Sequence, residues 1–347
     1  MLLSLILVIF GLCLIGIRFS LKGFNEDYLS RDCTNSIKGI FILLIVISHA
    51  QQYIRPGGYA YDSAGDSLFL FCYHLLDQLV VVMFLFYSGY GVGEAFKHKG
   101  SGYVRAIPRH RILGTLVNFD IAVLVYIAIS LLLGLPITFK QSVLSFTGWE
   151  GVGNSNWYIF VILLCYLMTY IVLRLPITKR SLRCALLFAL CAVCLFVLSF
   201  YKKDCWFNTI LCYPLGFLYS TYKDTIEAHV KRSFWKYAAA LLVVFVPVYV
   251  LLHNCEADRF QLGYNLVSML FALVLVMLTM KVRINNQPLR WAGAHLFPIY
   301  IYMRVPMIIM WNRTPDLLVT HFALYVVICL VVTLIIAHFY KYWEVKL

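Results

Sequence analysis

Ser36-Ile37-Lys38-Gly39-Ile40-Phe41-Ile42-Leu43-Leu44-Ile45-Val46-Ile47-Ser48-His49 is an apolar decade bracketed by two ionisable side chains. Its apolar residues follow one another without two-residue alternation, which is the pattern of a helix buried all round and not of a half-exposed strand. Extended to residues 36–54, the run is long enough to cross a bilayer. Comparable runs at 2–17, 68–92, 112–135, 156–174, 182–200, 205–221, 234–252, 262–280, 294–311 and 317–340 predict about eleven transmembrane helices.

Composition agrees. Of 347 residues, 62% are hydrophobic and 13% charged, too polar-poor a balance for a soluble domain of this size. In hydrocarbon every backbone donor and acceptor must be satisfied within the chain, so the choice is helices or a closed barrel, and the runs read as helices. The expected fold is all-α, a polytopic helical bundle in the cell membrane. The net charge of +13 would suit nucleic acid, but the basic residues sort by loop. With alternating loops, 22 Lys and Arg fall on one side, Arg18, Lys22, Lys97, Lys281 and Arg283 among them, against six on the other: Arg55, Lys140, Lys202, Lys203, Arg259 and Arg313. Positive charge marks the cytoplasmic side, so the N-terminus is expected outside and the C-terminus in the cytoplasm, with no nucleic-acid partner.

Most of the eleven cysteines lie in apolar runs and none has paired zinc-ligand spacing, so no metal is expected. Cys205 and Cys255 both fall in expected outer loops, where a disulfide between them is open. Residues 1–17 lack a basic region before the apolar run and read as a retained helix. No repeat or soluble domain is evident. The outer loop 136–155, with Trp149 and Glu150 and Trp157 just beyond, reads as an interfacial aromatic belt or the border of a polar acceptor site.

Lys38 and His49 are eleven residues apart, close to three helical turns, so they share a face about 16 Å apart along the axis. An ionisable residue at the depth of His49 points to function, and histidine is suited to general-base work near neutral pH. A neutral histidine bonded to a neighbouring helix would look the same in sequence. Asp77 and Arg304 fall at similar depth and could orient His49 or pair with each other, and His74 and Asp77 stand at i and i+3. Asp120 is a further charge needing a partner. Beyond Ser88-Gly89-Tyr90-Gly91 a basic loop with Lys97, Lys99, Arg105, Arg109 and Arg111 suits a phosphorylated cytoplasmic ligand or anionic headgroups.

These segments resemble, in order, the acyltransferase family 3 of membrane-bound acyltransferases. Lys38 to His49 is similar to that family's Arg/Lys-x10-His signature, Phe86-Tyr87-Ser88-Gly89-Tyr90-Gly91 to its Ser-Gly-Tyr segment, Asn156-Trp157-Tyr158-Ile159 to its Trp-containing helix start, and Pro298-Ile299-Tyr300-Ile301-Tyr302 to its late Ile-Tyr helix. The matches span residues 31–310. Two departures stand out. The family's Arg-x-x-Arg pattern is out of register, with Pro108 three residues before Arg111, and Met303-Arg304 stands where a histidine often follows the Ile-Tyr stretch.

The resemblance implies a ten-helix acyltransferase domain over 31–347, preceded by an added N-terminal helix and basic linker over 1–30. It implies transfer of an acyl group, usually acetyl, from cytoplasmic acyl-CoA to a hydroxyl of an outward-facing glycan or related envelope acceptor. Acyl-CoA enters as co-substrate, with no bound cofactor. On that likeness Lys38, Ser88, Tyr90, Arg105, Arg109 and Arg111 are donor-binding candidates, and His49, Asp77 and Arg304 catalytic ones. His49 would serve as general base, or as a covalent acyl-histidine. Midplane charges also suit a transporter or flippase for an envelope precursor, against which stands the absence of repeated halves, and a scaffold that keeps the fold is a third reading.

Overall fold

The computed structural model describes residues 2–53, 63–254 and 260–347. It is almost wholly helical. Among the described residues, six helices or continuous helical runs are long and apolar enough to cross a membrane: α2 (Arg31–Gln51), the run Ala64–Leu132, α7 (Trp157–Arg174), α8 (Arg180–Tyr201), α11 (Leu262–Thr279) and the run Phe322–Tyr342, whose α-helical part is α16 (Phe322–Phe339). A seventh crossing is possible through α12 (Gln287–Ala294) and the run Leu296–Arg313, bent by 66°. The exposed surface is apolar, with Leu131 71%, Leu132 80%, Val243 73% and Val193 60% exposed, as a lipid-facing surface requires.

The difference from eleven expected spans has local causes. Two expected spans, 68–92 and 112–135, are joined in the run Ala64–Leu132, so the basic segment between them is helical, apart from a kink at Gly100 with φ +53°, and not a loop. The first expected span ends early: α1 (Leu2–Leu14) stops at a turn with Gly16 at φ +80°, and Ile17–Phe19 (β1) pairs antiparallel with Val282–Ile284 (β2). The span expected at 205–221 is instead α9 (Cys212–Val230), whose second half carries Lys223, Asp224 and Glu227. The apolar part of α10 (Phe234–Asn254) is Phe234–Val248, also short.

The long run is itself broken. α3 (Ala64–Leu76) ends at Asp77, whose φ is +31°, and α4 (Leu79–Ala106) begins after Gln78. His74 and Asp77 therefore do not share one helical face as the spacing suggested. Between α4 and α5 (Gly114–Leu132) lies a π-helical segment, Ile107–Leu113, led by Pro108. Proline has no N–H for the usual i→i−4 bond, and the chain recovers with wider turns, Gly114 N–H reaching Arg109 O five residues back.

Two close crossings hold the centre. Gly39 of α2 lies against the backbone of Leu289 in α12, and Gly293 of α12 lies against Asn35 and Gly39 of α2. Gly89 and Gly93 of α4 likewise meet Tyr213, Phe217 and Ser220 of α9, while Gly216 meets Phe86 and Tyr90. Small residues four apart let backbones touch, the main source of helix affinity where no hydrophobic effect operates between helices. A Cβ at Gly39 or Gly216 would collide with a backbone carbonyl.

α2 is capped by Ser30, whose hydroxyl accepts from Cys33 N–H at 3.3 Å, and its first-turn Asp32 meets Arg290 of α12 at 3.2 Å. The β1–β2 ribbon, an Asp27–Arg283 pair at 2.9 Å and an Asn286 Nδ2 bond to Leu12 O at 2.9 Å tie the N-terminal segment to the start of α12.

Candidate active site

α2 carries a polar group at each end. At its C-terminal end His49 is half-buried, and Arg304, the first residue of α14 (Arg304–Arg313), reaches it from the bent helix pair. One Arg304 Nη2 donates to His49 Nδ1 at 2.7 Å and to Gln52 Oε1 at 2.6 Å, while Nε donates to Ser155 Oγ at 3.0 Å. Gln52 Oε1 is also 3.3 Å from His49 Nδ1, and the Tyr53 hydroxyl lies beside the guanidinium. Since arginine only donates, Nδ1 accepts in this arrangement and a neutral ring carries its proton on Nε2. Every partner of Arg304 is neutral: among the described residues no carboxylate pairs with it. A cation so placed keeps its charge for something else.

Asp77 is not part of this cluster, which corrects the expectation that it orients His49 or pairs with Arg304. The break at the end of α3 leaves it beside α11, where the Tyr264 hydroxyl donates to Asp77 Oδ2 at 3.5 Å and accepts from Gln78 N–H at 3.1 Å. Asp120 of α5 also stays apart, its Oδ1 buried without a hydrogen-bond partner among the described residues.

At the other end of α2 the chain is open. A cavity of about 190 Å³ is lined by Lys38, Ser88, Arg111, Tyr87 and Tyr158, among others, with no acidic residue in its wall. Through Ser88, Arg111, Tyr158 and Leu296 it adjoins a cavity of about 590 Å³. The π segment places Arg111 in the lining of both cavities, over the Tyr166 ring at 5.8 Å from its centroid and beside the Tyr103 hydroxyl, while Arg105 and Arg109 line neither. The out-of-register arginine pattern thus has a structural counterpart in Pro108. Tyr90 is also outside the cavities, packed 6.4 Å from the Tyr219 ring in the α4–α9 crossing. Lys38 has neither a hydrogen bond nor an ion pair among the described residues, so two cations face one space with no internal anion.

Between the two ends stand aromatic rings. Tyr158, in the wall of both cavities, packs edge-on against Tyr300 at 5.5 Å and Phe84 at 6.1 Å. Tyr300 lies one turn before Arg304, so the Tyr158–Tyr300 pair links the cavity wall to the helical run that carries Arg304.

The model of acyltransferase family 3, described as an acyltransferase domain, matches residues 32–338, nearly the whole chain. The chain belongs to that family. No curated protein and no solved structure matches it. The acyltransferase is therefore a multi-pass membrane protein that takes an acyl donor and a hydroxyl acceptor. Its match begins at Asp32, just inside α2, and runs to His338, one residue short of the end of α16.

Gln52 and Ser155 were missed in sequence. Ser155 directly precedes the Asn156-Trp157 segment and Gln52 stands one turn beyond His49, yet nothing in either marks it as a partner of Arg304 before the fold is known. Trp149 and Trp206 have their own partner, Lys202, held 3.9 Å over the Trp149 ring and 4.5 Å over Trp206. Cys205 is a free, partly buried thiol, and Cys255 lies outside the described residues, as do Arg55 and Arg259.

Proposed function

We propose that this acyltransferase moves an acyl group, acetyl by default, from acyl-CoA bound at the Lys38 and Arg111 end to a hydroxyl presented at the His49 end. The observation that carries the reading is the division of α2: unpaired cations around a cavity at one end, a hydrogen-bonded histidine and arginine at the other. In this reading the Lys38 end, whose cavity also holds Arg111, is cytoplasmic by the preference of basic residues for that side, and the His49 end is outward-facing, in the cell membrane. The acceptor is a hydroxyl of a glycan or related envelope molecule.

Lys38 and Arg111 meet the donor's diphosphate, and Ser88 and Tyr158 line the path of its thin pantetheine arm. The arm must pass the Tyr158–Tyr300 pair for the thioester to reach His49. There Arg304 turns from Nδ1 to the thioester carbonyl oxygen, where negative charge develops. With Arg304 gone, the ring takes its other tautomer, Nδ1–H donating to Gln52 Oε1, and Nε2 is free to accept. The acceptor oxygen attacks the carbonyl carbon, its proton passes to Nε2, the carbon–sulfur bond breaks, and the imidazolium returns that proton to the leaving CoA sulfur.

The test is transfer of labelled acetyl from acetyl-CoA to a pool of envelope glycans by protein in nanodiscs. His49→Ala is expected to lower kcat by about 10²–10⁴-fold while donor affinity stays within about threefold. Unchanged transfer in His49→Ala would remove it as base.

A further inference from the structure

The larger cavity has a wall that the family domain does not supply. The segment Tyr340–Leu347, beyond the matched residues 32–338, contributes Tyr340, Lys341, Glu344, Val345, Lys346 and Leu347 to its lining. Three sets of contacts fix that segment in place. The buried carboxamide of Asn118 in α5 forms a two-way clip with one residue, Nδ2 donating to Val345 O at 2.8 Å and Oδ1 accepting from Val345 N–H at 2.9 Å. A third bond, Asn118 Nδ2 to Gly114 O at 2.8 Å, holds the carboxamide itself. Tyr340 and Trp343 pack around Tyr302, whose hydroxyl accepts from Trp343 Nε1 at 3.2 Å, and His110 Nδ1 bonds Leu347 O.

The charge around this mouth is lopsided. Lys341 and Lys346 join Arg111, with His110 and His295 alongside, and the one carboxylate side chain in the lining, Glu344, lies 3.7 Å from Lys346. This positive rim adjoins the Lys38–Arg111 pocket through Arg111 and includes no residue of the His49 cluster. A ligand threaded toward His49 with its diphosphate between Lys38 and Arg111 leaves its opposite end in the larger cavity. In CoA that end is the adenosine 3′-phosphate.

We propose that the segment Tyr340–Leu347 is a wall of the donor site, clipped in place by Asn118, and that Lys341 and Lys346 bind the 3′-phosphate of the CoA moiety. The proposal rests on the acyl-CoA reading above, and it goes beyond it by assigning the selectivity for the phosphorylated ribose to residues outside the family domain.

The experiment measures equilibrium binding of CoA and of 3′-dephospho-CoA to the full chain in nanodiscs. Lys341→Ala with Lys346→Ala is expected to weaken CoA by about tenfold or more, the loss of charge-assisted bonds to one phosphate, and 3′-dephospho-CoA by less than about threefold. Asn118→Leu, which removes the clip, should weaken both ligands and open the peptide bonds near Val345 to protease. The conservative pair Lys341→Arg with Lys346→Arg should restore CoA binding, which a purely structural role would not predict. Equal binding of CoA by wild type and the double alanine variant would overturn the proposal while leaving the acyl-CoA reading intact. Wild-type protein that binds neither ligand would overturn both.

Discussion

The two ends of α2 differ in how their polar groups are satisfied. At the His49 end, a histidine, an arginine, a glutamine and a serine from three separate parts of the chain satisfy one another within 2.6–3.3 Å. At the Lys38 end, two cations line a space with no anion in its wall. Mutually hydrogen-bonded groups are held close to the positions that bond-making requires, whereas unpaired cations beside a cavity are stabilised by an arriving anion. The difference separates a place where bonds are made from one where a charged ligand is held.

If that division is right, substitutions at the two ends should separate kcat from KM. The largest effect after loss of His49 is expected from Arg304→Lys. An ammonium keeps the charge but not the fork that reaches Ser155, Gln52 and His49 together, so kcat should fall by about 10²-fold with little change in donor KM. A rise in KM alone would erase the distinction between the ends. Next comes Lys38→Ala with Arg111→Ala, expected to raise donor KM by about 10–100-fold through loss of two charge-assisted contacts, with kcat at saturating donor little changed. Steady-state kinetics over a range of acyl-CoA concentration reads both.

Gln52→Leu sharpens the comparison inside the His49 end. Without an acceptor for Nδ1–H, kcat should drop by about tenfold, and Gln52→Glu should restore activity and move the acid limb of the pH–rate profile to higher pH, since a carboxylate stabilises the imidazolium. An unshifted profile in Gln52→Glu would mean that Gln52 does not face Nδ1 during turnover. The smallest effect is expected from Asp77→Asn, within about threefold in kcat and KM alike, because Asp77 bonds Tyr264 and stands apart from both ends. A loss as large as that of Arg304→Lys would bring Asp77 back to the chemistry.

Local pattern carried much of this. Apolar runs gave most of the helices, because burial in lipid demands the same local composition wherever a span stands. Local pattern failed where backbone geometry turns on one residue. Asp77 at φ +31° splits an apolar run that looks continuous, and Pro108 converts an expected loop into a π-helical passage. The bend between Ala294 and Leu296 was equally invisible, although Pro298, lacking the N–H that would bond Ala294 O, stands just beyond it.

By itself the sequence determined that the chain is a helical membrane protein and that Lys38 and His49 lie near opposite ends of one helix, since each follows from residue type and a fixed rise per residue. Only the tertiary structure decided the partners. Arg304 rather than Asp77 meets His49, Arg111 rather than Arg105 or Arg109 meets the cavity, and the last residues of the chain close its wall. These pairings join residues up to 255 positions apart. They are set by close glycine crossings and helix breaks, which no local period encodes.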